Sequence, residues 1–187
     1  SGKDPGDKDR GAAVKVLVKS VKELCDYGRG KGVSLTCETF DREIDKKALI
    51  GPSDLAAEFA AEVRKEYPDF GLMYDLSHQP LLGETSEGAL SQVKDHLVHI
   101  HIGNCVVHPA EPGYGDLHPR FGWPGGSNDI QEVIGFIRAM FKVGYLAKGK
   151  SPRPWVGFEI KPQTADETPE QVIAGAKRVW EEAWWQA

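Results

Sequence analysis

The sequence predicts an α/β fold in which parallel strands, joined by helices, curve into a (β/α) barrel. Three observations carry this reading. Helical and strand patterns alternate along the chain, as in repeated strand–helix units. Each strand is apolar on one face and polar on the other, and an ionisable side chain falls at or near the carboxyl end of every strand. A doubly wound sheet, covered by helices on both faces, calls for apolar residues on both. A barrel carries its helices outside and tolerates ionisable residues inside, at its C-terminal mouth.

The elements follow in order. Val14, Leu17, Val18, Val21, Leu24 and Cys25 have the i, i+3, i+4, i+7 spacing of one helix face, so residues 10–29 read as a helix closed by Gly28, Gly30 and Gly32. Residues 33–40 read as a strand. A helix opens at Pro52-Ser53-Asp54 with Leu55, Phe59 and Val63 on one face. Residues 71–78 form the second strand, a helix opens at Thr85 or Ser86, and residues 97–104 form the third strand. The stretch 108–128 is rich in Gly and Pro and too long for an ordinary connection, which marks it as a functional loop. Ile130, Val133, Ile134, Ile137 and Phe141 make the next helix, and residues 155–161 the fourth strand. Thr168-Pro169-Glu170 caps a last helix that carries Val172, Ile173, Ala176, Val179 and Trp180. The expectation is four strands and five helices.

Strand parity is the firmest part of this reading, because side chains alternate with period two. Val33, Leu35 and Cys37 oppose Ser34, Thr36 and Glu38; Leu72 and Tyr74 oppose Met73 and Asp75. Val98, Ile100 and Ile102 oppose His99, His101 and Gly103; Val156, Phe158 and Ile160 oppose Gly157, Glu159 and Lys161.

Composition bounds the function. The chain has 187 residues, 40% of them hydrophobic, and a formal charge of −5 from 23 basic and 28 acidic side chains. That suits one soluble domain. No run reaches the roughly 20 apolar residues of a bilayer span, and the polar start has no signal-peptide core. Cys25, Cys37 and Cys105 are odd in number and lack C-x-x-C spacing, which fits a reducing, cytoplasmic setting rather than a disulfide scaffold or thiolate zinc cluster. The acidic balance offers no global footprint for nucleic acid and favours a small-molecule partner.

Glu38, Asp75, His101 and Glu159 close the four strands. Three carboxylates and an imidazole converging in a dry mouth repel one another unless a cation lies between them, and a divalent metal is the simplest occupant. An oxygen-rich set with one nitrogen suits Mn²⁺ first, then Mg²⁺, Co²⁺ or Zn²⁺. His99 reads as a hydrogen-bonded residue deeper in the barrel; His96 and His108 read as surface residues.

The ordered strand ends C-E-T-F, D-L-S-H, H-I-H-I-G-N and F-E-I-K-P resemble the xylose-isomerase-like barrel superfamily, which holds sugar isomerases, ketose 3-epimerases, inosose dehydratases and endonuclease IV. The resemblance spans nearly the whole chain and is nearest the ketose 3-epimerases. It implies an eight-stranded TIM barrel with Glu38, Asp75, His101 and Glu159 as metal ligands, Glu38 and Glu159 doubling as the acid–base pair, and His78 touching substrate. The implied activity is sugar, or sugar phosphate, isomerisation or epimerisation through an enediolate. Lys161 is placed to steady the oxyanion, Arg120 in H-P-R-F-G to hold a hydroxyl or phosphate, and Trp123 to cover a substrate. A complete barrel has eight strands and typically ~250 residues. Residues 1–187 therefore read as the C-terminal portion, its last four strands, completed by an N-terminal segment or by oligomerisation. Neighbouring readings are a keto-sugar dehydratase or lyase and a non-catalytic barrel subunit. An endonuclease IV-like zinc phosphodiesterase is another, because His78, Asp116 and His118 match that family's additional zinc ligands.

Overall fold

The computed structural model describes residues 1–150 and 152–187. Its core is a four-stranded sheet of β1 (Thr36–Glu38), β2 (Gly71–Asp75), β3 (Leu97–Gly103) and β4 (Trp155–Glu159), all parallel and paired in sequence order. That monotonic order lacks the reversal that defines a doubly wound sheet. The helices are α1 (Asp7–Arg29), α2 (Ser53–Arg64), α3 (His78–Leu82), α4 (Ser86–Val93), α5 (Ile130–Lys142) and α6 (Pro169–Gln186). Along the convex side α1 packs on α2, α2 on α4, α4 on α5 and α5 on α6.

Parity decides which face meets the helices. Leu72, Tyr74, Ile100 and Ile102 are fully buried against Phe59, Val63, Leu90, Val133, Phe136 and Ile137. Tyr74 stacks on Phe136 with ring centroids 6.1 Å apart. Removing this apolar area from water is the main force holding helices to the sheet. On the concave face Glu38, Met73, His99, His101, Gly157 and Glu159 are only partly covered.

The register ties the curvature to a barrel. Glu38 is level with Met73, Met73 with His99 and His99 with Trp155. Asp75 and His101 lie two residues past that row, and Glu159 four. The side chains that close the four strands therefore climb about one residue per strand, the stagger of an eight-stranded barrel with shear 8. Among the described residues β1 and β4 each pair on one side only, and Trp155 at the start of β4 is 71% exposed.

Four expectations are corrected. The strands are shorter than 33–40, 71–78, 97–104 and 155–161; β1 pairs on one side only, and Val33 is exposed ahead of it. The second strand ends at Asp75 because the Ser77 N–H turns back to its Oδ1 at 2.6 Å. His78 consequently opens α3, a sixth helix where five were expected. The first helix begins at Asp7, with Gly28 inside it and Gly30 at its end. The starts of the last three helices agree with the reading. Thr85 caps α4, while Asp129 and Thr168 cap α5 and α6 through reciprocal bonds with Glu132 and Gln171.

Gly71 lies against the Val98 side chain, where a Cβ would collide with both γ-methyls. Gly71→Ala is expected to destabilise the protein by about 1–3 kcal/mol through overpacking, measured by urea denaturation. A change within about 0.5 kcal/mol, the range of a neutral surface substitution, would contradict this account of the β2–β3 contact.

Candidate metal centre

Each strand of the sheet delivers one member of the set. Glu38 is the last residue of β1, Asp75 of β2 and Glu159 of β4, while His101 precedes the end of β3 by two. One ligating atom from each lies within 4.8 Å of all the others. His101 Nδ1 is 2.5 Å from Glu159 Oε2, 3.7 Å from Asp75 Oδ2 and 4.0 Å from Glu38 Oε1. Asp75 is fully buried, and its Oδ2, like Glu38 Oε1, has no hydrogen-bond partner.

The set fits a divalent ion. Oxygen and nitrogen ligands about 2.1 Å from one ion are separated by about 3 Å when adjacent and about 4.2 Å when opposite; the 3.7 and 4.0 Å separations fall in that range, and the 2.5 Å His101–Glu159 contact is a hydrogen bond that an ion would replace. Unpartnered carboxylate oxygens in a buried site are the atoms a cation would satisfy.

Electrostatics in the metal-free protein show the strain such an ion would relieve. Burial, reinforced by Glu159 and Asp75 against the opposing pull of His78 and His101, pushes Glu38 up to about 7. Burial likewise raises Asp75 despite His78 and His118. The His101 hydrogen bond holds Glu159 well below the usual carboxylate range, and that bond raises His101 in return.

A second cluster adjoins the first. His78, Asp116 and His118 are buried; His78 Nδ1 is 2.6 Å from the Thr39 carbonyl and its Nε2 3.1 Å from Asp116 Oδ1. His118 Nε2 lies 2.9 Å from that same oxygen and 3.6 Å from Glu159 Oε1. Burial opposes the charged form of His78, but the Asp116 contact and the charges of Asp75, Asp116 and Glu38 prevail and raise it to about 9. Burial also disfavours the Asp116 carboxylate, yet His118 and His78 hold it well below its ordinary value. The contacts are short but poorly directed: His78 Nε2 and both Asp116 oxygens lack a well-formed hydrogen bond. Asp75, His78 and His118 also bring ligating atoms within 4.8 Å of one another.

The remaining sequence candidates lie elsewhere. Arg120 Nε donates to Glu167 Oε1 at 2.8 Å, and its Nη1 donates to the Phe121 and Gly122 carbonyls. It borders a cavity of about 380 Å³ against α6, apart from the ligand set. Trp123 donates to the Pro112 carbonyl at 2.8 Å and sits under Arg120, so both side chains brace the long loop. Lys161 is exposed just past β4, its backbone N–H bonded to the His118 carbonyl at 2.9 Å. His99 is half-buried on the concave face with its ring edge-on to His101, 4.9 Å between centroids, rather than in a sealed core. His108 is exposed as expected, whereas His96 is half-buried where α4 leads into β3. The sequence reading missed Asp41, Asp45 and Lys46. Asp41 accepts the N–H groups of Ile44, Asp45 and Lys46 at 2.7–2.8 Å, and Lys46 Nζ lies 3.2 Å from Asp116 Oδ2. An Asp opening a polar loop was the available signal for the first; nothing local marks the other two.

Asp75→Asn removes a fully buried charge from among two other carboxylates. We expect it to weaken Mn²⁺ binding by about 10–100-fold and to raise the thermal midpoint of the metal-free protein. Calorimetric titration and melting in chelator check the two signs; equal loss of both would mean that Asp75 is a structural hydrogen-bond acceptor instead.

No protein-family model matches the sequence, and no curated protein matches it. Solved structures do. The D-psicose 3-epimerase of Clostridium cellulolyticum H10, solved with D-tagatose, is 20% identical with a TM-score of 0.58, over 94% of this chain and 54% of that one. The 3-keto-D-glucoside 4-epimerase of E. coli is 17% identical with a TM-score of 0.53, over 97% of this chain and 55% of that one. A xylose isomerase domain-containing protein of Salmonella typhimurium LT2 is 14% identical with a TM-score of 0.65, over 91% and 58%. The chain thus spans between half and three fifths of the length of these proteins. At such identities the likeness is one of fold: this chain has the strand–helix arrangement of part of a TIM barrel and covers about half of the length of these barrels.

Proposed function

We propose that the protein is a divalent-metal-dependent carbohydrate isomerase or epimerase that moves a proton beside a ketose carbonyl. The observation that carries this reading is that Glu38 and Glu159, from the two outer strands β1 and β4, flank a set completed by Asp75 and His101. Carboxylates arriving from opposite sides can serve opposite faces of one carbon. When bound, a divalent ion, Mn²⁺ by this ligand chemistry, would hold the carbonyl and a neighbouring hydroxyl and offset the negative charge of an enediolate.

The chain's own residues supply the rest. One of Glu38 and Glu159 takes the proton from the carbon, and the other delivers a proton to the opposite face. His101 orients Glu159 through its 2.5 Å contact. Asp75, fixed by the Ser77 N–H, would hold the ion through its buried Oδ2. Lys161 is assigned to the developing oxyanion, and His78 holds the wall beside Glu38 with Nδ1 on the Thr39 carbonyl. The same enediolate could expel a β-substituent, so keto-sugar dehydration or elimination is the adjoining chemistry.

The same proposal makes residues 1–187 the C-terminal portion of one barrel, closed by an N-terminal segment or by oligomerisation. The open strand edges, the stagger and the coverage of about 54–58% of the neighbours support it. No helix among the described residues is long and apolar enough to cross a membrane. Three unpaired cysteines support a reducing, cytoplasmic setting.

A second reading rests on the group of Asp75, His78 and His118 with Asp116 beside it. A further ion there, zinc in particular, would suit phosphodiester cleavage like that of endonuclease IV. The acidic total charge favours the carbohydrate reading, since phosphate backbones select basic surfaces.

With Mn²⁺ loaded and its stoichiometry checked, Glu38→Gln and Glu159→Gln are each expected to slow exchange of ketose carbon-bound hydrogen with D₂O by about 10²–10⁴-fold. Wild-type exchange in both variants would exclude the two-carboxylate mechanism. Cleavage of abasic-site DNA with zinc, without ketose exchange, would select the second reading.

A further inference from the structure

The loop after β1 is organised by Asp41. Its buried carboxylate accepts three successive backbone N–H groups, from Ile44, Asp45 and Lys46. Three donors on one carboxylate hold the turn in a single shape, so the next side chains leave it in defined directions. Both Asp45 and Lys46 reach across to Asp116, which lies on the long loop between β3 and α5. Asp45 Oδ2 accepts the Asp116 backbone N–H at 3.0 Å, and Lys46 Nζ stands 3.2 Å from Asp116 Oδ2 and 3.3 Å from Asp45 Oδ2. The ammonium therefore bridges the two carboxylates.

Gly115 makes this approach possible. Its φ is +99°, and a Cβ there would lie 3.2 Å from Asp45 Oδ2. Only glycine takes that backbone without strain while leaving the neighbouring carboxylate in place. The Lys46 side chain is 42% exposed and that of Asp116 1%, so the cation sits at the surface and the anion inside. A buried carboxylate keeps one orientation only while its partners remain.

We propose that Asp45 and Lys46 are positioning residues that clamp Asp116 by its amide and its outer carboxylate oxygen, so that its inner oxygen stays on His78 and His118 beside the metal ligands. Asp116 and His118 belong to the loop between β3 and α5, whose backbone is held by the Gly115 N–H on the Val106 carbonyl at 2.8 Å and the Lys161 N–H on the His118 carbonyl at 2.9 Å; those bonds fix the chain and leave the Asp116 carboxylate to be aimed by its side-chain partners. The clamp ties that loop to the loop of β1, the strand that carries Glu38. Its catalytic consequence rests on the carbohydrate reading above; the clamp itself does not.

The test reads both separately. Imidazole ¹H–¹⁵N correlation spectra of the metal-free protein should show the His78 and His118 signals displaced in Asp45→Ala and in Lys46→Met, with exposed His108 unmoved. Asp45→Asn keeps an oxygen for the Asp116 N–H, and Lys46→Arg keeps the charge, so both should restore the wild-type signals. In the Mn²⁺-loaded protein, Asp45→Ala and Lys46→Met should slow ketose hydrogen exchange about tenfold, and the two conservative variants should recover it. If Asp45→Ala does not fold, Lys46→Met reads the same contact. Unmoved His78 and His118 signals would overturn the clamp, as would conservative variants as disturbed as Asp45→Ala and Lys46→Met. Displaced signals in a protein whose wild type exchanges no ketose would uphold the clamp and remove the carbohydrate reading.

Discussion

Glu38, Asp75 and Glu159 bring three carboxylates within 4.8 Å of one another around a single imidazole, with Asp75 sealed from solvent. Coulomb repulsion between such groups is large where water is excluded, and desolvation of each charge adds to it. Burial raises the pKa values of Glu38 and Asp75, with repulsion from Glu159 and Asp75 adding to it at Glu38, and the contact of His101 with Glu159 offsets part of the charge. A divalent cation would satisfy all four groups at once. The rest of the structure holds these four candidate ligands close enough for such an ion to be the better solution.

The sheet does so through parity and stagger. One side of every strand is committed to a core of Leu72, Tyr74, Ile100 and Ile102 against the helices, so the other side must present its alternate residues to the concave face. Because the outer strands are staggered against the middle pair, the residues that share a level on the concave face are Glu38, Asp75, His101 and Glu159, although only Asp75 and His101 are register partners. Side chains on strands are held more rigidly than side chains on loops, which suits a site that must resist its own repulsion. The loops then add a second layer. Asp116, His118 and His78 surround the ligands, and Asn128 donates to the Leu76 and Gly103 carbonyls, tying the foot of the long loop to the ends of β2 and β3.

Much of this was legible in the sequence because it depends on periodicity. Alternation within V-H-I-H-I-G or V-G-F-E-I-K separates core from site without any knowledge of neighbours, and four strands repeating one asymmetry led to the barrel, which the fold comparison supports. The starts of α4, α5 and α6 were legible because their caps are local hydrogen bonds. One local feature escaped: the Asp75 carboxylate accepts the Ser77 N–H two residues on, an Asx-type turn that ends the strand and opens a helix within D-L-S-H. The other misses are non-local. The commitment of Arg120 to Glu167 joins residues far apart in sequence, and so does the reach of Lys46 to Asp116. No spacing rule announces such pairs.

The central claim is that these four strand-end residues form one metal site, and the most direct measurement is anomalous X-ray scattering from crystals grown with Mn²⁺. The account predicts a peak within about 2.0–2.3 Å of one ligating atom from each of Glu38, Asp75, His101 and Glu159. No peak there at saturating Mn²⁺, or a peak only among His78, Asp116 and His118, would contradict it.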